Sequence, residues 1–454
     1  MEAIVIMKKI LVIGGGAREH ALCDAVYRSK DASLFSVMKN INPGIKHLAE
    51  DYKQIKETDI GQVVTYAKEK HIDMVFIGPE APLQSGLTNA LQKHHIAVCA
   101  PSKEAARIET DKEWMRNLLK RHQLPGQLRY QSFTDVKKAK EYIEELHGNI
   151  VLKPVGLTGG KGVKVAGDHF TDISGAIKYI DQIFSEKIGG AAKVVIEEKA
   201  EGEEFTVQGF TDGKTLKTLP AVQDHKRLQP GDKGPNTGGM GSYSNKDGLL
   251  PFLTQEEYDT AVHILQEIIT ALAKENCAYV GPIYGQFMLT KTGPKVIEIN
   301  ARFGDPEAMN VLPLLQTDFV SLGDAMIHQR LDLLSLDFNM KSTVCKYVVP
   351  EGYGVKSLSD QKIAIDAEHI KEVGARLFYA SVNQDNAGVR TTSSRSLAIV
   401  GFADDLSSAE QICEDALQFV HSDHIYIRHD IGKKDLVQQR IDHMKKIRGV
   451  KSTI

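Results

Sequence analysis

The sequence predicts an α/β protein built as roughly three units. Its 454 residues exceed what a single hydrophobic core ordinarily organises. Over residues 1–100, short apolar runs alternate with helical stretches, the pattern of a parallel sheet with right-handed crossovers. Beyond residue 150 the periodicity turns strand-like, and after about residue 340 strands and turns return with one helix near 407–420.

In the first unit, strands are expected at 10–13, 34–38, 74–77 and 97–100, with a helix at 19–29. Each strand runs into a loop of Gly, Pro or Asn: Gly14-Gly15-Gly16, Asn42-Pro43-Gly44, Gly78-Pro79-Glu80, Pro101-Ser102. In an open parallel sheet these loops share the carboxyl edge, where ligands bind. Residues 103–147 read as helical, with Thr110-Asp111-Lys112-Glu113 opening a helix to about residue 121 and Pro125-Gly126 breaking the pattern. Strands follow at 150–153, 162–166, 194–198 and 205–210, then a polar glycine-rich stretch over 223–242 and a helix near 255–275. A hairpin pairs 283–289 with 295–300 through Lys291-Thr292-Gly293-Pro294.

Composition excludes several classes. A net charge of -3 gives no electrostatic case for nucleic acid or an anionic membrane, so an anionic substrate must be held by local basic groups. No apolar stretch is long enough to span a bilayer. Cys23, Cys99, Cys277, Cys345 and Cys413 are scattered without a CxxC pair, which fits neither a zinc site nor a disulfide framework and points to a reducing, cytoplasmic setting. The apolar start runs directly into the glycine loop, as a buried first strand does and a signal peptide does not; Met7 is an alternative starting methionine.

Four constellations carry chemistry. Gly14-Gly15-Gly16-Ala17-Arg18-Glu19-His20 follows a strand and opens a helix, a place where backbone amides suit a phosphate. Glu19 stands where a dinucleotide motif needs its last glycine, so the choice lies between a sugar-phosphate loop and a structural tight turn. Lys153 to Val163 contains four glycines (Gly156, Gly159, Gly160, Gly162) around Lys161. Lacking the Ser or Thr of a Walker A loop, it reads as a hairpin able to fold over a nucleotide, or as an ordinary hairpin. The strand at 194–198 ends in Glu197 and Glu198, with Glu204 close behind; buried carboxylates need partners, and either a nucleoside or a solvated turn supplies them. In Val296 to Glu307, strand alternation places Glu298 and Asn300 on one face and Ile297 and Ile299 toward the core, giving a hard oxygen pair suited to Mg²⁺ with Arg302 on the same side for a phosphate or carboxylate.

In this order, these pieces resemble the ATP-grasp ligases, and along essentially the whole chain they resemble the phosphoribosylamine–glycine ligase family. The matching stretches are GGGAREHAL at 14–22, GPEAPL at 78–83, QDHKR at 223–227, GPNTGGMGSYS at 234–244 and NARFGDPE at 300–307. The resemblance implies an ATP-grasp fold at 105–335 with a small lid at about 126–197. A parallel α/β domain at 1–104 precedes it and a small mixed α/β domain at 336–454 follows. It further implies ATP as co-substrate, held by Lys112, Lys153, Gly159, Gly160, Lys161, Glu197, Glu198 and Glu204, and Mg²⁺ or Mn²⁺ on Glu298 and Asn300. Asp224, Lys226 and Arg302 would face the reacting groups. Glycine and 5-phosphoribosylamine would meet Gly15, Gly16, Arg18, Glu19, His20, Pro79, Glu80, Arg227, Gly238, Gly239, Met240, Asp305 and Glu307. A monomer or weak homodimer is expected.

The chain departs from the family at Val155 and Thr158-Gly159, where many bacterial members carry an acidic residue and alanines. Gln286 stands where other ATP-grasp families place a further metal carboxylate. Rival readings are another ATP-grasp enzyme, such as a carboxylase, and a non-catalytic nucleotide-binding regulator.

Overall fold

The amino-terminal strand β1 (Lys8–Ile13) buries Ile10, Leu11, Val12 and Ile13 completely, because it lies in the middle of a sheet covered on both faces. That sheet, in a computed structural model describing residues 7–157, 162–386 and 388–449, adds β2 (Ala32–Met38), β3 (Asp51–Gln54), β4 (Met74–Ile77) and β5 (Ala97–Cys99). All five strands are parallel in the order β3-β2-β1-β4-β5. The chain moves outward from β1 to β3 and then returns to the other side of β1, so the loops after β1 and β4 flank the switch point where α/β sheets bind ligands. Gly78 N donates to Ile13 O at 3.0 Å, which ties those two loops together.

The central part contains two sheets. The lid sheet is formed by β6 (Tyr130–Phe133), β7 (Ile150–Pro154), β8 (Lys164–Val165) and β9 (Val194–Glu198), in the order β6-β9-β7-β8. Helices Val136–Glu145 and Ile173–Glu186 cover it, and Phe133, Ile143, Leu152, Ile180 and Ile196 give it a core of its own. The body sheet runs β11-β10-β16-β17, from β10 (Glu203–Asp212), β11 (Leu216–Thr218), β16 (Val280–Thr290) and β17 (Gly293–Asn300), with the helix Gln255–Lys274 packed on it.

Between β11 and that helix lie β12 (Gln223–Asp224), the hairpin β13 (Arg227–Gln229) with β14 (Lys233–Asn236), and β15 (Gly241–Ser244). The carboxyl-terminal strands are β18 (Ser342–Pro350), β19 (Lys362–Ile365), β20 (Arg376–Tyr379), β21 (Val382–Asp385), β22 (Gly388–Thr391), β23 (Leu397–Ala403), β24 (Val420–His421) and β25 (Ile425–Ile427), the last paired with β18. One sheet runs β12-β15-β18-β23-β20, so the strand bearing Asp224 belongs to the same sheet as the carboxyl-terminal unit.

The sequence reading missed β3 and β6, which are too short to show a period, and the helices Ile173–Glu186 and Lys434–Arg448. The first of these helices does carry apolar residues at helical spacing (Ile173, Ala176, Ile177, Ile180, Ile183, Phe184) that went unread, and β8 was drawn longer than it is. A β-bulge corrects a further expectation. The ladder steps from Gln286↔Glu298 to Phe287↔Val296, leaving Ile297 as the extra residue on β17. The core therefore receives Val296 and Ile299, while Ile297 is only half-buried and its carbonyl turns toward the lid. Gly159, Gly160 and Lys161 lie outside the described residues.

Candidate active site

Where the lid meets the body, Glu197 anchors the cleft. Its side chain is 0 % exposed; Oε1 accepts from Arg116 Nε at 2.6 Å, and Oε2 accepts from Arg116 at 2.7 Å and pairs with Lys153 Nζ at 2.8 Å. Arg116, on the helix Lys112–Arg121 that Asp111 caps, also donates to the carbonyls of Val296 and Ile297. Lys153 Nζ reaches the same Ile297 carbonyl at 3.0 Å. The bulge is what makes that carbonyl available. Lys112 Nζ donates to Gly156 O at 2.8 Å. Burial holds both lysines below the usual ammonium range, although neighbouring carboxylates oppose it. Glu198 lies at the strand's partly open end and accepts from Arg129 N at 2.9 Å.

Across the cleft, Glu298 accepts from Asn300 Nδ2 at 3.2 Å. Burial pushes its carboxyl up, but Lys226, Lys153 and Lys112 with the Asn300 hydrogen bond outweigh that and hold it below the ordinary range. It is therefore an anion at neutral pH, as a hard-cation ligand must be. Gln286, directly opposite on β16 and so on the same face, has a buried Oε1 without a hydrogen-bond partner, while its Nε2 donates to Glu204. An orphaned acceptor beside Glu298 and Asn300 is what a bound divalent cation would satisfy. Among the described residues no group of three or more His, Cys, Asp or Glu is placed to hold a metal ion, so such an ion would complete its shell from phosphates and water. Lys226 pairs with Glu204 at 3.2 Å.

The amino-terminal loops close one end. Glu19, 3 % exposed, folds back so that Oε2 accepts from Gly16 N at 2.7 Å and Oε1 from Arg18 Nε at 2.6 Å. A Cβ on Gly14 or Gly78 would lie within 2.5 Å of that side chain, so the glycines make room for Glu19. The loop amide that the sequence offered to a phosphate is thus taken by the chain's own carboxylate. Gly15 packs against Met38, and Pro79 caps the short helix carrying Glu80. Arg18 donates to Phe303 O at 3.2 Å. Arg302 lies 2.9 Å from Glu109 and 3.5 Å from Glu80. His20 points away, with Nδ1 accepting from Tyr379 N at 3.0 Å and its ring edge-on to Phe378.

On the opposite side, Asp224 Oδ1 is buried and unpartnered, and Glu307 accepts from Tyr284 Oη at 2.9 Å. Burial raises both carboxyls, and each lies within the other's field. Gly239, at φ +106°, leaves no room for a Cβ, which would come within 2.8 Å of Asp224 Oδ1. Arg395 reaches Gly238 and Gly239, and Asp305 is held by Arg395 and Tyr347. Met240 is fully buried in the core, a packing position. Arg227 turns outward to Asp168 of the lid at 2.6 Å and to Gly234 O.

Residues 8–109, 110–308 and 343–434 match the N, ATP-grasp (A) and C domains of phosphoribosylglycinamide synthetase. The chain belongs to the phosphoribosylglycinamide synthetase family. It is 49% identical over 441 residues to the phosphoribosylamine–glycine ligase of Methanothermobacter thermautotrophicus, covering 97% of this chain and 100% of that one. Among solved structures, the phosphoribosylamine–glycine ligase of Thermotoga maritima superposes with a TM-score of 0.77 at 23% identity, over 93% of this chain and 99% of that one. A biotin carboxylase domain from Hydrogenobacter thermophilus, crystallised with MgADP and bicarbonate, gives 0.70 at 16% identity over 97% and 94%. These two likenesses establish the shared ATP-grasp fold.

Sequence reasoning on this synthetase missed Glu109, Arg116 and Arg395. Glu109 is buried and pushed up to about 7 by desolvation, against the pull of Arg302; its Oε2 accepts from Ala301 N at 2.7 Å. Glu109 and Arg116 stand among other charged residues, as in KEWMRNLLKR at 112–121, so the sequence carried no signal that singled them out. Arg395, in a polar turn, offered none. Among the described residues no helix is long and apolar enough to cross a membrane.

Proposed function

We infer that the chain ligates glycine to 5-phosphoribosylamine, consuming ATP and yielding glycinamide ribonucleotide, ADP and phosphate, a step of purine synthesis. The observation that carries the reading is Glu298, half-buried and ionised beside the buried Asn300, with Lys112, Lys153 and Lys226 acting on its charge and Arg302 beyond it. Membership of the synthetase family selects the substrates.

Making an amide from a carboxylate needs a better leaving group than oxide. A glycine carboxylate oxygen bonds to the γ-phosphorus as the bond to ADP breaks, giving glycyl phosphate. The amine nitrogen then bonds to the acyl carbon, phosphate leaves, and the nitrogen gives up one proton. Phosphoryl transfer is driven by positioning and charge neutralisation, so no nucleophilic side chain is needed.

In this reading Lys112 and Lys153 hold ATP phosphates, and Gly159, Gly160 and Lys161 approach them from the lid. Glu198 meets the adenine and Glu204 the ribose. Glu197 acts behind Lys153, fixing it through the ion pair. Glu298 and Asn300 hold Mg²⁺ or Mn²⁺, which would neutralise phosphate charge. Arg302, Lys226 and Asp224 face the reacting groups, with Gly15, Gly16, Arg18, Glu80, Gly238, Gly239 and Glu307 nearby. Glu19 and Asp305 shape these loops, while His20, Pro79, Arg227 and Met240 serve as packing or outer contacts. Units bounded at 1–104, 105–335 and 336–454 divide the work. A monomer or weak homodimer belongs to the same reading.

ADP release should require both glycine and 5-phosphoribosylamine. Full-rate ADP formation without glycine, or with bicarbonate in its place, overturns the reading in favour of a carboxylase.

A further inference from the structure

Arg395 belongs to the turn between β22 and β23, far in sequence from every motif of the site. Its backbone is fixed, because Ser381 N donates to Arg395 O at 3.0 Å and Ser396 N to Val348 O at 2.9 Å. Its guanidinium enters the site from the carboxyl-terminal unit. One terminal nitrogen donates to three main-chain carbonyls: Gly238 at 2.5 Å, Gly239 at 3.2 Å and Asp305 at 3.0 Å. The other pairs with the Asp305 carboxylate at 3.2 Å, and the plane lies over the Tyr347 ring at 4.4 Å. Only 14 % of the side chain is exposed.

These carbonyls belong to two separate segments, GPNTGGMG at 234–241 and RFGDPE at 302–307. Three carbonyl dipoles aimed at one point repel each other unless a cation lies between them. Neither segment is held there by regular structure at these positions, since β14 ends at Asn236, β15 begins at Gly241 and β17 ends at Asn300. Tyr353 Oη, accepting from Gly238 N at 3.4 Å, and Tyr347 Oη, donating to Asp305, add contacts from the same unit.

We propose that Arg395 is a positioning residue through which the carboxyl-terminal unit clamps the 238–240 loop to the turn after β17, setting the pocket for glycine and the phosphoribosyl amine. The inference rests on the reading that these two segments face the acceptor substrates. It gives the carboxyl-terminal unit a part in the reaction. The clamp lies on the Asp224 and Glu307 side, whereas the nucleotide side is built from the lid and β17. Losing it therefore acts on the two small substrates and spares ATP.

In Arg395→Ala, the Michaelis constants for glycine and 5-phosphoribosylamine should rise about tenfold or more, the scale of losing charged hydrogen bonds. The dissociation constant for MgATP, measured by calorimetry, should stay within about twofold. Millimolar guanidinium ion should restore part of the lost kcat/KM, which a purely structural defect would not allow. Unchanged Michaelis constants, or a parallel loss of ATP affinity, overturn the proposal. Should the alanine variant fail to fold, Arg395→Gln keeps a polar side chain there but removes the cation the three carbonyls need, and wild-type Michaelis constants there overturn it equally. Wild-type enzyme in the same assay reports separately on the function: without product from glycine, that reading fails whatever the variants do.

Discussion

Replacing Glu197 with Gln should destabilise the protein severely. The carboxylate is completely buried, and its two oxygens take three contacts of 2.6–2.8 Å from Arg116 and Lys153. Glutamine offers one acceptor oxygen and turns an amide donor toward a cation. Arg116 is then left without its anion, and Lys153 keeps only the field of Glu298. Breaking a buried pair on one side costs about 3–5 kcal/mol, because the stranded charge has already lost its water. At about 2–4 °C per kcal/mol for a domain of this size, the melting temperature should fall by about 6–20 °C. The measurement is thermal unfolding by circular dichroism without ligands at pH 7.5. Adding Arg116→Met to Glu197→Gln should recover part of the loss, since it removes one stranded cation. A single variant that melts within about 2 °C of wild type yet binds ATP weakly would refute the reasoning, and would return Glu197 to direct nucleotide contact.

Glu298→Gln should lower kcat by at least about a hundredfold, the scale of one lost electrostatic contact to the transition state, and should weaken Mn²⁺ binding measured by electron paramagnetic resonance. Activity near wild type would mean that the ion is held elsewhere. Burial holds His20 neutral down to about 4, against 6.5 in the unfolded chain, with Asp24 opposing weakly. Below pH 6.5 the unfolded chain takes up a proton that the folded one refuses, so its contribution is complete above 6.5 and declines toward pH 4. The decline amounts to about 3 kcal/mol, and His20→Asn, which can still accept from Tyr379 N, should flatten that limb of the stability–pH curve. Equal slopes would remove His20 from the acid transition.

Much of the architecture was legible because it is written locally. Strands β1, β2, β4, β9 and β17 announce themselves as apolar runs ended by Gly, Asn or Glu, and Asp111 marks its helix with a capping side chain. Glu298 and Asn300 were found because alternation assigns a face without reference to any partner. The same rule misplaced Ile297, since a bulge is set by pairing with β16, and one extra residue reverses the parity that follows.

What the sequence determined by itself was the order of elements, the glycine turns and the chemical character of each motif, all properties of neighbours in the chain. Tertiary structure decided which charges meet. Glu197 reads like a nucleotide ligand and instead neutralises Arg116, 81 positions away; Glu19 reads like part of a phosphate loop and fills that loop itself. Arg395 carries no signal in the sequence and lies 157 positions from Gly238, one of the three carbonyls it holds. A buried ion must find its counter-charge in space, and periodicity records only whether a side chain faces inward, never which distant group it meets there.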